Sequence, residues 1–161
     1  MLEGDLVQLV SLTPDHLTDL RRIRNTPEVR ARWGEPEDEG DDDDVTCFTI
    51  VLDGVVRGMI QYGEEEDPGY RHASIDIYVD PEVHGRGVGR DAVRTLARHL
   101  IDDRGHHRLV IDPAADNAAA IRCYSAVGFK PVGVMRNYER DTNGTGWHDG
   151  LLMDLLATEL R

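Results

Sequence analysis

His84-Gly85-Arg86-Gly87-Val88-Gly89 lies between a strand-like run and a helix-like run, and Asn117-Ala118-Ala119-Ala120-Ile121-Arg122-Cys123-Tyr124-Ser125-Ala126-Val127-Gly128-Phe129 follows downstream. Before the glycines, Ala73, Ile75, Ile77 and Val79 alternate with Ser74, Asp76, Tyr78 and Asp80, the period-two pattern of a strand with Asp76 opposite the aliphatic row. After them, Val88, Ala92, Val93, Leu96, Ala97, Leu100 and Ile101 recur at helical spacing. Arg90, Asp91, Arg94, Arg98 and Asp102 fall outside that stripe, so an amphipathic helix is expected to about Gly105. A glycine turn entering a helix brings unpaired amides together at the positive end of the helix dipole, which suits a phosphate. Gly-x-Gly alone is a weak signal, because glycines in turns mostly serve backbone conformation. The strand before it and the helix after it give this turn its anion-binding reading.

Working outward, residues 7–12 read as a first strand, and Thr13-Pro14 and Thr26-Pro27 each open a helix, over about 14–24 and 27–33. Residues 46–52 and 55–62 are β-branched, apolar runs separated by Asp53-Gly54, the signal of an antiparallel hairpin. Residues 108–112 form a short strand stopped by Pro113, residues 117–127 a helix stopped by Gly128, and 129–140 and 150–157 two closing strands. The order is that of an α+β fold.

At 161 residues the chain has the size of one domain, residues 1–161. Its 40% hydrophobic and 30% charged residues are the balance of a globular protein. No apolar run nears the roughly 20 residues of a spanning helix, and Met1-Leu2-Glu3-Gly4-Asp5 lacks a signal peptide's basic and apolar regions. A cytoplasmic location is expected. Cys47 and Cys123 have no metal-type spacing and the seven histidines are scattered, so free thiols and no metal site are expected. Eighteen basic against 31 acidic side chains leave −13. That charge argues against nucleic-acid or anionic-membrane binding and favours a cationic small-molecule partner. The acidity clumps at residues 35–44 and at Glu64-Glu65-Glu66-Asp67. These runs are either solvated loops or funnels that concentrate a polyamine-like substrate.

Asn117 stands at a helix start, where an N-cap contributes about 1 kcal/mol. Tyr124, on the inner face of that helix, reads from position alone as a packing aromatic. Asp76, on a strand face covered by helices, is a candidate base with a pKa raised by desolvation, or else a structural hydrogen-bonding carboxylate.

The two motifs together resemble the acetyl-CoA-binding core of the GCN5-related N-acetyltransferase (GNAT) superfamily. That resemblance implies a mixed, mostly antiparallel sheet of about seven strands flanked by about four helices, with acetyl-CoA as co-substrate. It places the CoA pyrophosphate on Arg86, Gly87, Val88, Gly89 and Arg90, with His84 where the signature prefers Gln or Arg. Asn117 would bond the pantetheine arm, Ala120 and Ile121 would line its path, and the amides around Ile77 and Val79 would pair with it. Phe129 would be core. Tyr124 would be the general acid that protonates the leaving thiolate, and Asp76 the base for the attacking amine.

Ile111-Asp112-Pro113 through Tyr124, with Ser74-Ile75-Asp76 and Trp33-Gly34, further resembles the aminoglycoside 6′-N-acetyltransferases of antibiotic resistance. There Asp76 and Asp112 would position the amino sugar and Trp33 would stack on a sugar ring. Acetylation of another amine (a polyamine, an amino-acid derivative, a protein N-terminus or a lysine) and a non-catalytic acyl-CoA sensor are the alternatives. Exposed C-terminal edge strands are compatible with a homodimer.

Overall fold

The computed structural model describes residues 1–37 and 42–161. Its strands are β1 (Leu2–Glu3), β2 (Gln8–Ser11), β3 (Val45–Leu52), β4 (Val55–Glu65), β5 (His72–Val79), β6 (Arg108–Ile111), β7 (Lys130–Arg140) and β8 (Trp147–Leu156). Its helices are α1 (Leu17–Arg24), α2 (Pro27–Trp33), α3 (Val88–Asp102) and α4 (Ala118–Val127). The strands form one sheet in the order β1-β2-β3-β4-β5-β6-β8-β7. Every pairing is antiparallel except β5 with β6. Parallel neighbours need a long crossover, and α3 supplies it.

The hairpin between β3 and β4 turns on Asp53 (φ 51°) and Gly54 (φ 79°). Two positive φ values make a type I′ turn, whose twist matches the flanking strands. The short β1, which pairs Leu2 with Leu9 and Glu3 with Gln8, precedes the strand expected to be first, so the sheet has eight strands where about seven were expected. The closing strand β8 starts at Trp147, earlier than the sequence pattern indicates.

The central strands of the sheet are covered on both faces, whereas the edge strand β7 is exposed along most of its length. Leu9, Ile50, Ile60, Ala73, Ile75, Leu96, Leu100, Leu109 and Met153 belong to the main core, to which α3 contributes its apolar stripe. Leu20, Ile23, Val29, Met59 and Tyr78 form a second core under α1 and α2. At about 25 cal/mol per Å² of apolar surface, such two-sided burial is the main stabilising contribution. Ile121 packs against the main core, and Phe129 is core. Asp91 corrects the helical pattern: it is buried, not outward-facing, because the segment linking β1 and β2 folds over it and donates three backbone N–H groups to its carboxylate.

The acidic runs divide. Residues 38–41 of the first lie outside the described residues. In the second, Glu64 belongs to β4 and is held by Arg104 at 2.6 Å and by the buried His106 at 2.6 Å.

Candidate active site

The short turn that leads into the glycines is anchored on Asp80. This fully buried carboxylate accepts from the Glu82 amide at 3.0 Å, which caps the short turn Pro81–Val83, and pairs with Arg57 at 3.1 Å and Arg22 at 3.3 Å. Burial alone opposes its ionisation, yet the bonds from Glu82, Arg57 and Arg22 outweigh that and hold its pKa below the usual carboxylate value. Gly87, at φ 81° and ψ 8°, is the left-handed N-cap of α3, a conformation costly for any residue with a Cβ. The first bond inside the helix runs from the Asp91 amide to the Gly87 carbonyl at 3.0 Å, which leaves the amides of Val88, Gly89 and Arg90 ahead of it. The Arg90 guanidinium lies over the turn, 3.7 Å from where a Cβ on Gly87 would stand. This cradle suits a phosphorylated ligand. The His84 ring is turned back, donating from Nε2 to the Val79 carbonyl at 2.9 Å.

Residues 84–90 share one groove of about 770 Å³ with Ile77, Val79, Asn117, Ala120 and Tyr124. The Asn117 side chain caps α4 by accepting from the Ala120 amide at 3.3 Å. β5 pairs with β6 only at Ala73 and Ser74. Beyond Ser74 its edge has no β6 partner, and the sheet is split where Asp76 and Ile77 stand.

A second cavity, of about 630 Å³, opens at that split, lined by Asp76, Asp112, Asp116, Glu139 and Asp141 together with Arg32, Trp33 and His148. The two cavities meet at Arg32, Trp33, Ile77, Asn117 and Tyr124. Asp76 is open to this cleft yet enclosed by protein. Desolvation first, then the neighbouring Asp112 and more weakly Glu139, push its pKa up to about 6, against a hydrogen bond from Gln61 that lowers it. Tyr124 is buried, and desolvation together with nearby Cys123, Asp76 and Asp112 raises its pKa, keeping the phenol protonated. Trp33 is half-buried, edge-on to Tyr78 at 5.1 Å and beneath Arg24, so it is both a core lid and a wall of the cleft. Among the described residues, no group of three or more His, Cys, Asp or Glu is placed to hold a metal ion.

The residues chosen from the sequence thus come together, with Asp76, Asp112 and Trp33 in the acidic cavity and the remainder around the groove. Others that line the acidic cavity carry no local motif. Glu139 is delivered by an irregularity in β7, where pairing jumps from Met135–Gly150 to Glu139–His148. His148 sits between Asp141 at 3.0 Å and Glu139 at 3.5 Å. Arg32 bridges to Asp116 at 2.8 Å across the cleft. The described parts of the two acidic runs line neither cavity; the acidity of the cleft comes from isolated carboxylates on separate elements.

Residues 9–129 match the family model of the acetyltransferase (GNAT) family. The chain belongs to that family. The GNAT chain is 39% identical over 83 residues to the [ribosomal protein bS18]-alanine N-acetyltransferase of Escherichia coli K12, covering 50% of this chain and 52% of that one. It is 32% identical over 103 residues to the aminoglycoside N(6′)-acetyltransferase type 1 of Klebsiella pneumoniae, covering 56% of this chain and 50% of that one. The matched stretch therefore spans about half the length of these curated relatives. Among solved structures, AAC(6′)-Ib in complex with paromomycin and acetyl-CoA superposes with a TM-score of 0.77 at 25% identity, over 96% of this chain and 97% of that one.

Proposed function

We propose that this GNAT chain transfers an acetyl group from acetyl-CoA to a primary amine of a polycationic small molecule, the 6′-amine of an aminoglycoside being the favoured acceptor. The observation that carries the proposal is the meeting of a phosphate-cradling groove with a carboxylate-lined cavity at Tyr124, beside Asp76. Each charge-assisted hydrogen bond to an ammonium group contributes about 1.5–3 kcal/mol, and a cleft with carboxylates on several elements favours an acceptor that carries several such groups. The similarity to the Klebsiella enzyme and to AAC(6′)-Ib supports this acceptor.

Acetyl-CoA supplies the acyl group activated as a thioester. The amides of Val88, Gly89 and Arg90 and the Arg86 and Arg90 side chains would hold its pyrophosphate, and the unpaired β5 edge offers N–H groups to its pantetheine arm and to the acyl oxygen. Asp112 orients the acceptor. Asp76, ionised above about pH 6, takes a proton from the acceptor ammonium directly or through a water. The freed nitrogen forms the C–N bond as the C–S bond breaks, and Tyr124 gives its phenolic proton to the departing sulfur. The acylated nitrogen then sheds its second proton, which restores the tyrosine through water, and Asp76 releases the first to solvent, so one proton is lost per turnover.

A protein N-terminus is the second reading, and the 39% identity to the bS18-alanine enzyme is what favours it. Thiol release from acetyl-CoA, measured against aminoglycosides with and without a 6′-amine, polyamines and short peptides, decides between them. Turnover confined to 6′-amino compounds is the expected result. Turnover confined to peptides with an N-terminal alanine would replace the first reading with the second.

A further inference from the structure

A row of three side chains crosses the sheet behind Asp76. Cys47 on β3 stands opposite Gln61 on β4, and Gln61 stands opposite Asp76 on β5. Directly opposed residues project from the same face. The Cys47 thiol donates to Oε1 of Gln61 at 3.5 Å, and Gln61 stands directly opposite Asp76, where its amide favours the ionised carboxyl. Gln61 lines neither cavity.

We propose that Gln61 is a positioning residue for Asp76, and that Cys47 orients the Gln61 amide so that its NH₂ end faces the carboxylate. A primary amide has one accepting and one donating end, and an ionised carboxylate only accepts. With Oε1 engaged by the Cys47 thiol, Nε2 is the end left for Asp76. The flipped amide would set oxygen against oxygen beside a group already crowded by negative charge. Asp112 after β6 and Glu139 on β7 face the same cavity as Asp76, as do Tyr124 on α4, Arg32 on α2 and His148 on β8. Of these, Asp112 and Glu139 oppose ionisation of Asp76, whereas Gln61 favours it. The amide therefore keeps the base ionised near neutral pH and fixes its direction toward the split between β5 and β6. A pure packing role would need no donor at this position.

The inference rests on Asp76 serving as the base, and the test separates the two ideas. Carboxyl ¹³C NMR titration of Asp76 is compared in the parent protein, Gln61→Leu, Cys47→Val and Cys47→Ser, alongside pH profiles of kcat/KM with acetyl-CoA and the best acceptor from the thiol-release panel. Gln61→Leu is expected to raise the Asp76 pKa by about one unit, Cys47→Val by less, and Cys47→Ser, which keeps a donor, hardly at all. The acid limb of kcat/KM should move up with the titration, giving about a fivefold loss at pH 6 that approaches about tenfold below pH 5 and recovers above pH 8. An unmoved Asp76 pKa in both Gln61→Leu and Cys47→Val would overturn the positioning role. A moved pKa with an unmoved kinetic limb would uphold the positioning role and remove Asp76 as the base.

Discussion

The Tyr138 hydroxyl donates to Oδ2 of Asp112 at 2.7 Å. Local sequence does not announce this pair, which depends on the irregularity in β7 where residues 136–138 face Asp149 alone between the Met135–Gly150 and Glu139–His148 pairs. Asn137 turns the backbone there with φ 47° and donates its N–H to Asp149 at 2.8 Å. The bond to Asp112, then burial, then the Asp112 charge push the Tyr138 pKa up to about 12, so the phenol remains a donor over the working range. If Asp112 orients the acceptor as proposed, Tyr138→Phe frees it to swing away. Because the ring is partly exposed, water replaces much of the lost bond, and the acceptor KM should rise only about 3- to 10-fold. The KM for acetyl-CoA should stay unchanged, and steady-state kinetics with each substrate varied in turn checks both.

In the proposed mechanism Asp76 contributes in opposite senses to catalysis and to stability. Its pKa is raised in the fold from 3.8 to about 6, so the folded state binds a proton more tightly than the unfolded chain does. The ionised form is therefore destabilising, fully so above about pH 6 and not at all below the unfolded value. As a base the group works only when ionised, so kcat/KM should climb through about pH 6 and Asp76→Asn should abolish that limb. Thermal melts should show the same variant more stable than the parent at pH 8, with the gain vanishing toward pH 4. A loss of Tm at pH 8 would mean that Asp76 is structural.

As the proposed general acid, Tyr124 would have to give up a proton although its environment raises its pKa. What makes the transfer feasible is that the same environment makes a sulfur more basic. The adjacent Cys123 thiol, half-buried beside the groove, is pushed by burial up to about 11 against a small opposing effect of Arg90. A thiolate expelled into this groove gains basicity in the same way, so phenol and leaving group stay matched. Tyr124→Phe should lower kcat by about 10²- to 10³-fold while leaving the acetyl-CoA Kd from calorimetry within about twofold. Equal losses in kcat and affinity would reduce Tyr124 to packing, for which its edge-on contact with Phe129 already provides.

What the sequence made legible was local chemistry. Asp53-Gly54 specifies its turn whatever surrounds it, Gly87 and the stripe of α3 specify the cradle, and Asn117 caps its own helix. Asp76 could be placed because strand alternation sets its face. The acidic cavity was legible in Asp76, Asp112 and Trp33 and in Ile77, Asn117 and Tyr124 where it meets the groove, but not in Glu139 and His148, which reach it through pairing between β7 and β8 that a one-residue slip would redirect. Gln61 lies on a strand whose neighbours, and so whose role, are set by cross-strand register. The two-residue β1 has no periodicity to detect.

Asp91 shows what such long-range closure is worth. Its carboxylate, buried in the first turn of α3, accepts from the amides of Asp5 at 3.1 Å, Leu6 at 2.7 Å and Val7 at 2.9 Å, tying the start of the chain to the helix that carries the cradle. Asp91→Ala removes the acceptor for all three donors, two of them only partly buried, at a cost of about 3 kcal/mol. For a protein of this size that is a fall of about 6–12 °C in Tm. Asp91→Asn keeps one oxygen and should lose less than half as much. Anion binding should respond in the opposite sense. A carboxylate in the first turn competes with a phosphate for the positive end of the helix, so below the melting range neither variant should bind acetyl-CoA more weakly than the parent. Calorimetric titration of Asp91→Asn with acetyl-CoA checks this, and a weakened Kd would mean that the β1–β2 tether shapes the cradle itself.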